Sequence, residues 1–219
     1  STPLYSSAAS DVYKRQDLEI LNDINNLAIQ YKAKLLPVIK DKKYEDIKKV
    51  YDQGFREFGE NRIEQLLEHR EKFNDSKFHF IAPLQSRKIS QIMENCIYIH
   101  TLAREKEAKI INENYSNQKV FVQINIDDDE NKSGINPKDV EPFFNMFENF
   151  NFFPVGIMCI PSLENNSKIS FSKMQKINEK IKKDYKNYSG ELSMGMSDDY
   201  EIALDYGATL IRIGSKIFN

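Results

Sequence analysis

Residues Leu192–Gly214, LSMGMSDDYEIALDYGATLIRIG, contain one complete unit of the predicted fold. An apolar run at Leu192–Met196 is followed by a helix-like stretch over residues 198–206 and by a second apolar run at Thr209–Gly214. Short apolar runs of this kind indicate buried strands, and a helix between two of them predicts parallel strands joined by a crossover. From residue 17 onward the chain keeps this alternation.

Eight apolar runs alternate with helix-like stretches. The runs are Leu35–Lys40, Phe55–Glu60, Phe78–Ala82, Cys96–Leu102, Val120–Ile126, Phe153–Ile160, Leu192–Met196 and Thr209–Gly214. Helical periodicity covers residues 17–31, 44–53, 62–73, 86–94, 103–114, 137–149, 171–187 and 198–206. Strands that are apolar throughout indicate a parallel sheet covered on both faces. Eight strands without a glycine-rich turn after the first favour an α/β fold of the closed (β/α)8 TIM-barrel type over an open doubly wound sheet.

The composition is typical of a globular chain and excludes several classes of protein. Among 219 residues, 40% are hydrophobic, and 31 basic against 33 acidic side chains give a net charge of −2. That charge provides no basic excess for nucleic acid or a membrane surface, and no apolar run approaches the roughly 18 residues that span a bilayer. Cys96 and Cys159 both lie in apolar runs, which favours buried thiols in a reducing, cytoplasmic compartment.

The first sixteen residues, STPLYSSAASDVYKRQ, differ from the rest of the chain. They lack an initiating Met, include four Ser and show no hydrophobic period. We therefore interpret residues 1–16 as a non-native or disordered leader and residues 17–219 as one barrel domain.

Barrels carry their reactive groups at the carboxyl ends of the strands, so the polar residues there are the candidates for chemistry. Lys40 ends the first run, LLPVIK. Burial of its ammonium group would favour the neutral amine, which is the form that attacks a carbonyl and forms a Schiff base. The alternative is a surface lysine whose charge reaches water. From position alone, a cofactor-independent aldolase also remains open.

The last two strands end in residues that suit an anion. Loops after strands seven and eight of barrels commonly bind phosphate, and Ser197 could bind an anion or cap the following helix. Gly214 would let the backbone approach an oxyanion closely. Arg212 lies in an apolar strand, and we expect it either to donate hydrogen bonds inside the barrel mouth or to pair with a helix carboxylate such as Asp205.

Other candidate sites are weaker. His69, His79 and His100 are far apart and match no zinc pattern, and His79 and His100 are interpreted as structural residues within strands. The acidic run Asp127–Glu130 lacks the spaced ligands of a calcium loop.

Six ordered motifs resemble the YggS/PROSC family of pyridoxal 5′-phosphate (PLP) homeostasis proteins, which are similar in fold to the barrel domain of alanine racemase. The motifs are Val38–Lys40, Phe58–Arg62, His79–Ile81 with Leu84–Ser86, Lys132–Gly134, Leu192–Ser197 and Arg212–Ser215. They run in order through residues 20–219. Ala82-Pro83 departs from the family pattern, and we expect it to alter the loop after strand three and access to the cofactor.

The resemblance implies a fold type III PLP-binding barrel and assigns roles to seven residues. Lys40 matches the lysine that holds PLP as a Schiff base. Ser197, Gly214 and Ser215 match the phosphate-binding positions, and Arg212 matches the arginine that faces the pyridine nitrogen. Asn61 falls near the cofactor at the end of strand two. Met158 would either line the ring face or serve as a core methionine.

The same resemblance favours a carrier over an enzyme. Arginine only donates a hydrogen bond to the pyridine nitrogen and leaves it uncharged, so the ring is a weak electron sink. An alanine racemase takes a second acid–base group, a tyrosine, from a C-terminal β domain, and the sequence reaches only Asn219. We therefore expect a non-catalytic, monomeric carrier that buffers PLP or delivers it to PLP-dependent apoenzymes. A PLP-dependent amino-acid racemase is the alternative.

Overall fold

Eight parallel strands form a barrel in the computed structural model, which describes residues 5–162 and 166–218, with side chains from Leu18 onward. The strands are β1 (Lys34–Pro37), β2 (Glu57–Glu60), β3 (Lys77–Phe80), β4 (Tyr98–Leu102), β5 (Lys119–Gln123), β6 (Gly156–Met158), β7 (Glu191–Ser193) and β8 (Leu210–Ile213). Every strand from β2 to β8 pairs with its neighbour in the chain, and β8 pairs with β1. The predicted (β/α)8 barrel is confirmed.

The barrel closes between the first two strands just beyond β1. Val38 bridges Gly59 in parallel register, and the N–H of Ile39 donates to the carbonyl of Gly59 at 2.9 Å. On the other side, the N–H of Val38 donates to the carbonyl of Ile213 at 2.7 Å. The backbone after β1 therefore bonds to both neighbouring strands and leaves no open edge there.

Helices surround the barrel. They are α1 (Tyr5–Gln30), α2 (Tyr44–Asp52), α3 (Ile63–Lys72), α4 (Ile89–Asn95), α5 (Glu105–Glu113), α6 (Val140–Asn145), α7 (Ser167–Asp184) and α8 (Tyr200–Asp205). Ile47 and Val50 of α2 are buried, as the spacing of its apolar residues predicts. Of the helices that the structure describes, none has the length and apolar character needed to cross a membrane.

The first helix begins earlier than its sequence pattern predicts. The pattern places its start at Asp17, whereas the described backbone is helical from Tyr5. Leu21, Ile24 and Ala28 are buried and share one face, so the part that packs on the barrel is the part with the apolar period. Residues 1–4 lie outside the described chain, and the non-native origin of residues 1–16 stays a prediction.

Side chains alternate between the two faces of each strand, which creates two different interiors. The outward residues join the helices in one apolar core, as Phe78, Phe80, Ile211 and Ile213 do. The inward residues fill the barrel itself and are of mixed polarity. They include His79, Tyr98, His100, Phe121, Met158, Ser193 and Arg212, all buried.

A turn after β7 requires glycine. Gly195 has φ +91°, and a Cβ there would lie 2.6 Å from the Cβ of Ala203 in α8. The left-handed backbone and this close approach both disfavour any side chain. The turn directs the chain toward Ser197 and holds α8 against the barrel.

Replacing Gly195 with Ala should destabilise the fold more than the same change at Gly207. Gly207 also has a positive φ of +84°, but no atom lies within 4 Å of its added Cβ. Urea unfolding should show a loss of about 2–4 kcal/mol for Gly195→Ala, from strain plus overpacking, and about 1–2 kcal/mol for Gly207→Ala, from strain alone. Equal losses would contradict the steric argument.

Candidate functional site

A cleft of about 470 Å³ opens at the carboxyl end of the barrel. Its volume lies in the range of small-molecule sites. The loops after six of the strands line it, with the residues Val38, Lys40, Asn61, Ile81, Ala82, Pro83, Ile160, Met196, Ser197, Asp198, Arg212, Gly214 and Ser215. Six of the seven residues that the sequence indicates for cofactor binding therefore line one cleft.

Lys40 lies on the rim of the cleft and is exposed. The expectation of a buried Lys40 is wrong and the alternative of a surface lysine holds, because β1 ends at Pro37 and Lys40 falls in the turn beyond the strand. Within the described residues, the Lys40 side chain makes no hydrogen bond or ion pair. The amine is therefore accessible both to a molecule in the cleft and to water.

Ser197 and Ser215 join the loops after β7 and β8 through a hydrogen bond of 3.0 Å between their hydroxyls. Of the two roles left open for Ser197, the helix cap is not observed: α8 begins at Tyr200, and its N-cap residue is Asp199. Ser197 is therefore free to serve the cleft. Among the described residues, the backbone N–H groups of Ser197, Gly214 and Ser215 have no acceptor. Free N–H groups and hydroxyls in one place are suited to an anion.

Gly214 packs closely against the closure of the barrel. A Cβ there would lie 3.3 Å from the carbonyl oxygen of Val38. Glycine therefore lets the loop after β8 lie against β1, which brings Ser215 to the same cleft as Lys40.

Arg212 forms the buried base of the cleft and is 4% exposed. Nη1 donates to the hydroxyl of Ser193 at 2.7 Å, and Nη2 donates to the carbonyl of Cys159 at 3.0 Å. The inward orientation is confirmed. The alternative partner, Asp205, instead accepts from the hydroxyl of Tyr31 at 2.8 Å.

Asn61 contributes an unsatisfied polar atom to the cleft. Its Oδ1 is buried and has no partner within the described residues. The backbone N–H of Asn61 donates to Oε1 of the fully buried Glu60 at 2.7 Å. Glu60 thus holds the turn after β2, and the unpaired oxygen of Asn61 suits a ligand that donates a hydrogen bond.

Met158 lies away from the cleft. It is the last residue of β6 and is fully buried in one cluster with Tyr98 and Phe121. Of its two predicted roles, the structure places it in the core.

Apolar lining residues that sequence reasoning missed are Val38, Ile81, Ile160 and Met196. Their position at or just beyond the strand ends was the available signal.

The Lys132–Gly134 motif connects two loops near the cleft. The Lys132 ammonium donates to the carbonyl of Pro161 at 2.5 Å. The side-chain amide of Gln123 donates to the carbonyl of Ser133 at 2.8 Å. The motif therefore ties the loop after β5 to the loop after β6.

Two histidines that the sequence separates by 21 residues are in contact inside the barrel. His79 Nδ1 lies 3.1 Å from His100 Nε2. His79 Nε2 lies 3.3 Å from Glu57 Oε2, and His100 Nδ1 lies 2.9 Å from Ser193 Oγ. Burial lowers the pKa of His79 and places the pKa of His100 well below its ordinary value. Both rings are therefore neutral near pH 7.

The family described as the alanine racemase N-terminal domain matches residues 20–219, and the eight-stranded parallel barrel agrees with that class. The chain belongs to the YggS/PROSC family of PLP homeostasis proteins. It is 34% identical over 196 residues to the pyridoxal phosphate homeostasis protein of Aquifex aeolicus (strain VF5), covering 85% of this chain and 86% of the relative. It is 36% identical over 202 residues to the protein of the same name from Haemophilus influenzae, covering 86% and 85%.

The solved structures show the same fold. PipY of Synechococcus elongatus PCC7942 without PLP has a TM-score of 0.80 and 26% identity, covering 86% of this chain and 93% of PipY. The PLP-bound form of PipY gives a TM-score of 0.82 at 24% identity, with 91% and 100% covered. Alanine racemase of Clostridium difficile 630 gives 0.73 at 16% identity, covering 93% of this chain and 56% of the racemase.

Lowering the pH from 7 to 5.5 should destabilise the fold through His79 and His100. Their folded pKa values are lowered by burial, so their stabilisation is complete above the unfolded value of about 6.5 and is lost as the pH falls below it. Each histidine should cost up to about 1 kcal/mol by pH 5.5. Urea unfolding measures the loss. A ¹⁵N NMR titration in which either ring charges above pH 6.5 would contradict it.

Proposed function

We propose that this chain binds PLP reversibly and so stores or delivers the cofactor. One observation carries the proposal: the exposed amine of Lys40 and the anion cradle of Ser197, Gly214 and Ser215 line the same cleft. An aldehyde and a phosphate on one small molecule match these two groups. The names of the curated relatives and the PLP-bound form of PipY support the same ligand.

Lys40 is proposed as the covalent anchor. Its amine would hold the cofactor by condensing with the aldehyde, with loss of water, and hydrolysis would release it. Lys40 is exposed to water, which favours this reversal. A rim position therefore fits a protein that must release its ligand better than a sealed site would.

The cleft favours holding the cofactor over transforming it. When bound, PLP supplies an aldehyde and a ring that can accept electrons from a substrate carbanion. Arg212 is an obligate donor held by Ser193 and Cys159, and a donor does not protonate a ring nitrogen as a carboxylic acid would. We therefore propose a non-catalytic carrier, with PLP-dependent apoenzymes as recipients.

A racemase is the second candidate, because the matched family is described as the alanine racemase N-terminal domain. Racemisation needs an acid–base group on each side of the substrate carbon. Incubation of the PLP-loaded protein with L-alanine, followed by chiral chromatography, separates the candidates. We expect no sustained turnover; turnover at enzyme-like rates would overturn the non-catalytic proposal.

Lys40→Ala should abolish covalent capture of PLP, because the other residues lining the cleft include no amine. Borohydride treatment followed by peptide mapping should place the pyridoxyl group on Lys40 in the wild-type protein. Lys43→Ala is the matched control, since Lys43 is exposed and does not line the cleft. A pyridoxyl group on another lysine in the wild-type protein would refute the assignment.

Ser215→Ala should weaken binding of PLP but not of pyridoxal, which lacks the phosphate. Loss of one hydroxyl to a charged group should cost about tenfold in affinity. Titration of both ligands, followed by absorption, gives the two dissociation constants. Equal losses for the two ligands would place the phosphate elsewhere.

A further inference from the structure

A continuous line of polar side chains crosses the inside of the barrel. It begins at Arg212 at the base of the cleft and passes through Ser193, His100 and His79 to Glu57, the first residue of β2. The successive distances are 2.7, 2.9, 3.1 and 3.3 Å. The line therefore connects the cleft to the opposite, amino end of the barrel.

The two ends of the line determine the direction of every hydrogen bond. Glu57 as a carboxylate only accepts, so His79 Nε2 must carry the proton and donate. A neutral His79 then accepts at Nδ1, which requires His100 to donate from Nε2. Neutral His100 in turn accepts at Nδ1 from the Ser193 hydroxyl. That leaves the Ser193 oxygen to accept from Arg212, which only donates.

The surroundings keep both imidazoles neutral. His79 stacks on Tyr98 with ring centroids 4.3 Å apart, and His100 lies 4.7 Å from the ring of Phe121. The charges that act on this pair are Glu57 and Arg212 within the line and Lys34 and Lys119 at the amino end. Three of these four charges are positive and disfavour an imidazolium.

We propose that His79 and His100 are positioning residues for Arg212: with Ser193 and Glu57 they form a one-way hydrogen-bond chain that holds the guanidinium at the base of the cleft. Two of the five N–H groups of the guanidinium donate to Ser193 and Cys159, so the chain fixes the side of Arg212 that lies away from a ligand in the cleft. The expected effect of this hydrogen-bond chain on PLP binding rests on the proposed function. The direction of its hydrogen bonds does not.

The hydrogen-bond chain can be tested in the cofactor-free protein by ¹⁵N NMR. We expect His79 and His100 to carry their protons on Nε2, and the Arg212 guanidinium to give separate, slowly exchanging N–H signals. Glu57→Gln should introduce the second tautomer of both rings, because an amide can donate as well as accept. A wild-type His100 protonated on Nδ1 would overturn the proposal, since the chain would then run the other way.

Ser193→Ala tests the link to Arg212 with the loss of a single hydroxyl. Its matched control is Ser170→Ala. Ser170 is also fully buried, and it donates to Asp127, which takes no part in the hydrogen-bond chain. Ser193→Ala should merge the Arg212 signals, speed PLP release roughly tenfold and shift the absorption of bound PLP. Ser170→Ala should change none of these.

The outcomes separate the two proposals. If the wild-type protein takes up no PLP, the proposed function fails. The NMR signals of the histidines and Arg212 then still show whether the one-way hydrogen-bond chain exists. If PLP binds but Ser193→Ala leaves the Arg212 signals, the release rate and the spectrum unchanged, the positioning role is overturned and the proposed function stands.

Discussion

Closure of the barrel between the backbone after β1 and β2 is the constraint on which the site depends. The N–H groups of Val38 and Ile39 bond in opposite directions to Ile213 and Gly59. Lys40 follows directly, so the same residues that close the sheet also position the amine. An open sheet in the same strand order would leave β1 and β2 at opposite edges, and Lys40 and Asn61 would lie on different sides of the molecule.

The outer layer of the barrel stabilises the fold by apolar burial, whereas the inner layer is held together by hydrogen bonds. The outer layer buries an apolar core, whose removal from water supplies most of the driving force for folding. The inner layer contains a buried arginine and two buried histidines, each costly without a partner. These polar groups are tolerated because each one bonds to the next. The interior is therefore organised by hydrogen-bond direction as well as by shape.

The cleft combines a rigid base with an accessible rim. Arg212 is held on two sides and almost fully buried, whereas Lys40 is exposed. This arrangement is consistent with the proposed reversible binding, because the base of the cleft is fixed while water reaches the amine at its rim.

The sequence by itself determined the eight strands and the parallel barrel, because an apolar run and a period of 3.6 residues are local properties of the chain. The residues that it indicated for a cofactor, Lys40, Asn61, Ser197, Arg212, Gly214 and Ser215, line one cleft in the structure, and their roles toward a cofactor stay a prediction. Only the tertiary structure decided that Lys40 is exposed, that Met158 is core, and that His79 and His100 touch. The last residue of a strand and the contact between two inward side chains depend on the register of neighbouring strands, and one residue of register changes which face a side chain occupies.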